Sequence, residues 1–74
     1  NEETTIGFYL ASTINNAAIC IYDLTGKQIK SINIVQREYG EIIIYANELQ
    51  PGMYKYALIG DNDLIATETM VITN

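Results

Sequence analysis

Apolar and polar residues alternate along most of this chain, and turn-forming residues interrupt the alternation at regular intervals. Side chains two positions apart on a strand share a face. Ile6, Phe8 and Leu10 therefore fall together on a first strand, Ile19 and Ile21 (with Ala17 leading in) on a second, and Ile42 and Ile44 on a fourth. Tyr54, Tyr56 and Leu58 do so on a fifth, and Met70 and Ile72 on the last. The interruptions are Asn15-Asn16, Thr25-Gly26, Tyr39-Gly40, Pro51-Gly52 and Gly60-Asp61-Asn62-Asp63. Glycine supplies positive φ there, proline presets φ, and Asn or Asp bonds its own backbone. Short strands about 8–12 residues apart between such signals belong to sandwiches and barrels. No apolar pattern keeps the period of about 3.6 residues that a helix needs, so helix is limited to a single turn around residues 46–49.

Strands are expected at residues 4–11, 17–23, 28–35, 41–46, 53–60 and 64–73. Ile and Tyr dominate the apolar residues and Thr recurs at both ends, side chains that fit a pleated, half-buried surface better than a helix. Ile29 is out of phase with Ile32 and Ile34, which puts a bulge near Lys30 or Ser31. In Asp23-Leu24-Thr25-Gly26-Lys27 the aspartate can accept N–H groups across a turn while Gly26 takes the left-handed conformation. Gln50-Pro51-Gly52 reads as a type II turn, and Leu49 before it plugs one end of the core. Strands joined by tight turns pair antiparallel. The expected fold is one all-β domain over residues 1–74. It is a small antiparallel β-sandwich of Greek-key or immunoglobulin-like type, with about six or seven strands.

At 74 residues the chain has room for one domain, and one that buries only about 60% of the surface it exposes when unfolded. Four Lys+Arg against nine Asp+Glu give a net charge of −5, which argues against nucleic acid or an anionic membrane as partner. The chain has no His and a single Cys. That excludes an internal disulfide, a Cys/His zinc site and imidazole chemistry. No apolar run approaches the roughly 18 residues of a membrane helix. The first residues, Asn1-Glu2-Glu3, carry neither an initiator Met nor a signal peptide, so the chain is expected to be a piece of a longer or processed protein.

Each candidate for chemistry has a plainer reading. Asp61 and Asp63 flank Asn62 as in the start of a calcium loop, but such a site takes about 6–8 oxygens and no acid follows at the required offset. The triplet reads as a solvated hairpin turn. Glu38 and Glu41 bracket Tyr39-Gly40 in what reads as a tight loop, where no cleft forms. Cys20 faces away from Ile19 and Ile21, with Ala18 and Tyr22; without a base or cationic cluster it reads as a small packing residue. Ser12 and Ser31 lack a base partner. No phosphate loop, dinucleotide glycines or metal-spaced ligands occur, and no cofactor is expected. Tyr54 and Tyr56 belong to the inner face, whereas Tyr9, Tyr22 and Tyr45 point outward, where rings can stack on sugars. Ala18, Cys20, Tyr22, Ile43, Tyr45, Ala57 and Ile59 all oppose the core-facing sets. Such a patch suggests a surface docked on the rest of a parent protein or on a second copy.

Three stretches carry a resemblance. They are Ile19-Cys20-Ile21-Tyr22-Asp23-Leu24-Thr25-Gly26-Lys27-Gln28-Ile29-Lys30, then Leu49-Gln50-Pro51-Gly52-Met53-Tyr54-Lys55-Tyr56-Ala57-Leu58-Ile59, then Met70-Val71-Ile72-Thr73. In that order they resemble the type A C-terminal sorting domain of the Bacteroidetes type IX secretion system, from about Thr5 to the end of the chain. The resemblance implies a non-catalytic domain at the C-terminus of a larger exported protein. Secretion-system proteins would recognise it in the periplasm and direct its passenger across the outer membrane to the surface or the extracellular space. The chain departs from the family's usual pattern at both ends: it lacks a Pro-Asn-Pro-like opening, and Glu68-Thr69 and Asn74 stand where basic residues are common.

The resemblance points to recognition through Asp23, Thr25, Gly26 and Lys27, through Pro51, Gly52, Met53 and Tyr54, and through Met70, Val71, Ile72, Thr73 and Asn74. Structural need accounts for Asp23, Gly26 and Gly52 at least as well. The alternative reading is a surface β-sandwich accessory module that binds glycan, through Tyr22 or Tyr45, or that docks on and stabilises its parent.

Overall fold

A computed structural model of the chain describes residues 3–45 and 47–73. Among them are six strands and no helix: β1 (Glu3–Leu10), β2 (Ala17–Tyr22), β3 (Gln28–Asn33), β4 (Glu38–Tyr45), β5 (Gly52–Gly60) and β6 (Asp63–Ile72). They form two antiparallel sheets, β1-β4 and β3-β2-β5-β6. The pair lies over the four-stranded sheet around one core of Ile6, Leu10, Ala17, Ile19, Ile21, Ile34, Ile44, Tyr54, Leu58, Met70 and Ile72. Phe8, Ile14, Ile32, Ile42, Leu49 and Tyr56 pack against it half-buried. The residues of β1, β2, β4, β5 and β6 among them are the sets that the alternation assigned inward; Ile32 and Ile34, and Ile14 from the loop after β1, join them. Each buried Ile or Leu contributes roughly 1.5–3 kcal/mol, so in a domain this small the alternation itself selects the fold.

The fourth strand begins at Glu38, three residues before the expected start. Tyr39 and Gly40 are not a turn; they lie in β4, opposite Tyr9 and Phe8. The chain turns earlier, at residues 34–37, and enters β4 through Glu38 at φ 63°. Gly40 serves packing instead: a Cβ there would come within 2.8 Å of Phe8 Cζ. Ala46, where that strand was expected to end, lies outside the described residues. Beyond it, residues 47–49 make a turn in which Glu48 N–H donates to the Tyr45 carbonyl at 2.9 Å.

Two bulges adjust the registers. Ile21 pairs with Lys30 and Tyr22 with Gln28, which leaves Ile29 as the extra residue, one position before the expected bulge. In β6 the extra residue is Ile65, between Leu58↔Ala66 and Ile59↔Leu64. Ile65 reaches over Gly60, where a Cβ would come within 2.6 Å of its Cδ1.

The loops gather at the two ends of the sandwich. Residues 11–16, 34–37 and 61–62 form one, called here the anchored end. Asp61 and Asn62, at φ 49° and 70°, make the two-residue turn of the β5–β6 hairpin, in the mirror-image form that suits strand twist. Arg37 Nε donates to the Ile14 carbonyl (2.8 Å), Nη2 to Asn15 (3.0 Å), and Nη1 to Ile34 (3.2 Å) and Gln36 (2.8 Å). The Asp61 carboxylate accepts the N–H of Asn15 (3.1 Å) and Asn16 (2.9 Å), while its own N–H donates to the Asn16 carbonyl (2.8 Å). Asp61 is therefore more than a solvated hairpin residue: it ties one loop to another. Residues 23–27, the β4–β5 connection, the start of β1 and the end of β6 form the other, open end.

Candidate recognition surface

At the open end the turn after β2 is built around one carboxylate oxygen. The Thr25 hydroxyl (2.6 Å), the Thr25 N–H (2.9 Å) and the Lys27 N–H (3.0 Å) all donate to Asp23 Oδ1. Backbone bonds from Asp23 N–H to the Lys27 carbonyl and from Gly26 N–H to the Asp23 carbonyl, each 3.0 Å, close the turn. Gly26 sits at φ 92°, where a side chain would be strained. The Thr25 hydroxyl first, and then the Lys27 N–H, hold the Asp23 carboxyl below its ordinary range. The turn is thus pinned from within, and its apolar Leu24 is left 61% exposed.

The start of β5 and the end of β6 meet beside this turn. Gly52 pairs with Ile72, Met53 with Val71, and Tyr54 with Met70. Alternation divides them. Tyr54, Met70 and Ile72 are buried, and the Tyr54 hydroxyl donates to the Gln50 carbonyl at 2.6 Å. Met53 and Val71 face outward, 51% and 53% exposed. Gly52 opens β5 at φ 152° after Pro51.

The fold therefore brings together at one end the three segments that the sequence singled out. Thr25, Gly26, Lys27, Pro51, Gly52, Met53, Val71 and Thr73 are exposed there, and Asp23 is half-buried. Tyr54, Met70 and Ile72 are not surface residues but support their neighbours from below. Asn74 lies outside the described residues. Sequence reasoning passed over Leu24, whose signal was an apolar residue inside an otherwise polar turn.

From this end the outer face of the four-stranded sheet runs back in rows. Tyr22 stands beside Lys55, Cys20 beside Ala57, and Ala18 beside Ile59, with Gln28, Ser31 and Asn33 of β3 on one flank and Thr69, Thr67 and Leu64 of β6 on the other. A depression of about 380 Å³ opens between the Asp23 turn and this face, lined by Tyr22, Leu24, Lys55, Ala57 and Thr67. Burial, and then the neighbouring Cys20 thiol, push the Tyr22 phenol above its ordinary range. Cys20 Sγ lies 3.8 Å from Ser31 Oγ.

The seven outward residues expected to form one patch divide in two. Ala18, Cys20, Tyr22, Ala57 and Ile59 lie on this face, but Ile43 and Tyr45 belong to the outer face of the β1–β4 pair, across the core. Tyr22 and Tyr45 accordingly share no platform. Among the described residues no three His, Cys, Asp or Glu side chains gather as a metal-binding group.

The family model described as "Secretion system C-terminal sorting domain" matches residues 1–73 of the chain. No curated protein and no solved structure matches it.

Proposed function

The chain belongs to the family of secretion-system C-terminal sorting domains, and from that membership we propose that its open end is the surface export proteins read. Membership makes it a sorting signal for type IX secretion, the system of Bacteroidetes, and a protein bearing it is secreted toward the outer membrane or the extracellular space. The family is one of signals rather than catalysts. In this reading the chain forms the C-terminal domain of a larger passenger protein. It crosses the periplasm with that passenger, acts by protein–protein contact alone, and requires no cofactor.

One observation supports the open end: there the three segments of the resemblance meet, and Leu24, Met53 and Val71 stand exposed on backbone fixed from beneath by the Asp23 bonds, Tyr54 and Met70. A preordered backbone has little freedom left to lose on binding, so only side-chain ordering remains to be offset, and a few apolar anchors carry most of an interface's energy.

The test is export of a reporter fused ahead of residues 1–74 in a type IX-competent bacterium. The fusion is expected at the cell surface or in the medium. The triple variant Leu24→Ser, Met53→Ser, Val71→Ser should keep the circular dichroism of the parent domain and lose export by about tenfold or more. Export of that variant at the parental level would overturn the assignment of the surface.

A further inference from the structure

The sorting reading uses nothing on the outer face of the β1–β4 pair, and that face has a composition of its own. The register sets Gly7 opposite Glu41 and Tyr9 opposite Tyr39. The two rings meet edge to face, their centroids 5.0 Å apart and their planes at 64°. Both remain in solvent, Tyr39 87% and Tyr9 53% exposed. With Gly7, Gly40, Phe8 and Glu41 they line an open depression of about 590 Å³.

Gly7 is the telling residue. Glycine inside a strand is destabilising, and Gly7 is not among the glycines of positive φ. A Cβ built on it would meet nothing within 4 Å, whereas one on Gly40 would strike Phe8. Nothing within the domain asks for glycine at position 7. A bare stretch of strand backbone marks a place where a ligand or another chain comes close.

The surrounding groups select its charge. Aromatic faces are electron-rich, and two rings at 64° offer a corner with two faces rather than the flat platform that suits a sugar. Glu41 adds a carboxylate that no Lys or Arg of the described residues faces. The chain's own cations lie elsewhere: Arg37 on loop carbonyls, Lys30 at 3.8 Å from Glu48, Lys55 on the opposite sheet, and Lys27 at the open end. We propose that this corner binds an arginine side chain from a basic segment of a partner protein, with Tyr9 and Tyr39 as walls, Gly7 as floor and Glu41 as counter-ion. A guanidinium fits better than an ammonium because it is planar and stacks on a ring while bonding a carboxylate.

The proposal stands apart from the sorting surface, so its test uses binding to the 74-residue chain rather than export. Amide spectra are recorded while adding a short peptide of alternating arginine and serine, and again with citrulline in place of arginine. The arginine peptide should shift Tyr9, Tyr39 and Glu41, and the citrulline peptide should bind about tenfold more weakly. Tyr39→Ala and Glu41→Gln should each lower affinity about threefold to fivefold. Gly7→Thr should melt no lower than the parent, since the side chain enters open space on a strand, yet lose the peptide. Equal binding of the citrulline peptide would overturn the proposal. So would full affinity in Gly7→Thr, or a neutral oligosaccharide that shifts these amides when the arginine peptide does not.

Discussion

At the anchored end Arg37 bonds backbone 22 and 23 residues away and Asp61 bonds backbone 45 and 46 residues away, whereas at the open end Asp23 bonds only residues two and four ahead of it. Long-range bonds hold loops to one another; short-range bonds hold a turn to itself. The first arrangement closes three connections into a polar knot over one mouth of the core. The second holds the Asp23 turn by itself, beside the paired start of β5 and end of β6. The Lys30–Glu48 ion pair (3.8 Å) is a tie between β3 and the β4–β5 connection, and Leu24, Met53 and Val71 stand exposed. The ends therefore differ in bonding rather than in apolar exposure, since Val35 and Leu64 stand in solvent at the anchored end as Leu24, Met53 and Val71 do at the open one.

The comparison is broken most directly at Arg37. Arg37→Ala removes four hydrogen bonds from a charged donor to carbonyls, and the expected loss is about 2 kcal/mol. Thermal unfolding should fall by roughly 10 °C in a domain of this size. Amide exchange should quicken first in residues 11–16 and 61–62 and leave residues 23–27 as protected as before. Equal loosening of both ends would mean that they are not separate in the way their bonding suggests.

Acid should act next, and on both ends by different routes. Backbone N–H groups of Asn16 and then Asn15, with Arg37 adding to them, hold the Asp61 carboxyl below its ordinary range; Asp23 is lowered by its own turn. A carboxyl depressed in the folded state contributes stability that is complete above its unfolded pKa, about 3.9, and is lost as pH falls through the folded value. Melting temperature should therefore hold down to about pH 5 and decline below about pH 4. Asp61→Asn should flatten that decline and free the 11–16 loop, while Asp23→Asn should flatten it and free only its turn. A decline unchanged by both substitutions would remove the carboxylates from the account.

Much of this was legible in the residues. Alternation assigned Ile6, Leu10, Ile19, Ile21, Ile44, Tyr54, Met70 and Ile72 inward, because a period of two leaves an apolar strand only one side to bury. Turn chemistry located the Asp23 turn, whose causes are local. The turn expected at Gln50-Pro51-Gly52 falls instead at residues 47–49. Gly52, at φ 152° rather than the roughly +80° of a type II turn, already opens β5. The other misses are non-local. Tyr39-Gly40 looked like a turn since glycine usually marks one, but here the absent side chain makes room for Phe8, thirty-two residues earlier. Arg37 and Asp61 gave no local signal, as their partners lie on other loops. The bulge at Ile65 was hidden because Leu64 and Ile65 are both apolar and either could have faced inward. The Tyr9–Tyr39 corner depended on the register of β1 and β4, which no stretch of either strand specifies alone.

The smallest effect expected on stability is also the one that sharpens the comparison furthest. Met53 and Val71 are each about half exposed and pair across β5 and β6 on the outer face, while Tyr54 and Met70 pair one residue along on the inner face. Met53→Ser with Val71→Ser removes apolar surface that the fold leaves in water, so the free energy of unfolding should change by no more than about 0.5 kcal/mol. Met70→Ala, next door, empties a packed site and should cost about 2–5 kcal/mol. Denaturant unfolding of the two variants measures both, and the slope should be the same in each if neither alters the surface exposed on unfolding. A large loss in the Met53/Val71 variant would mean that these side chains pack against something at the open end after all, and the division between a face that folds and a face that is read would fail at the residues where it is drawn most narrowly.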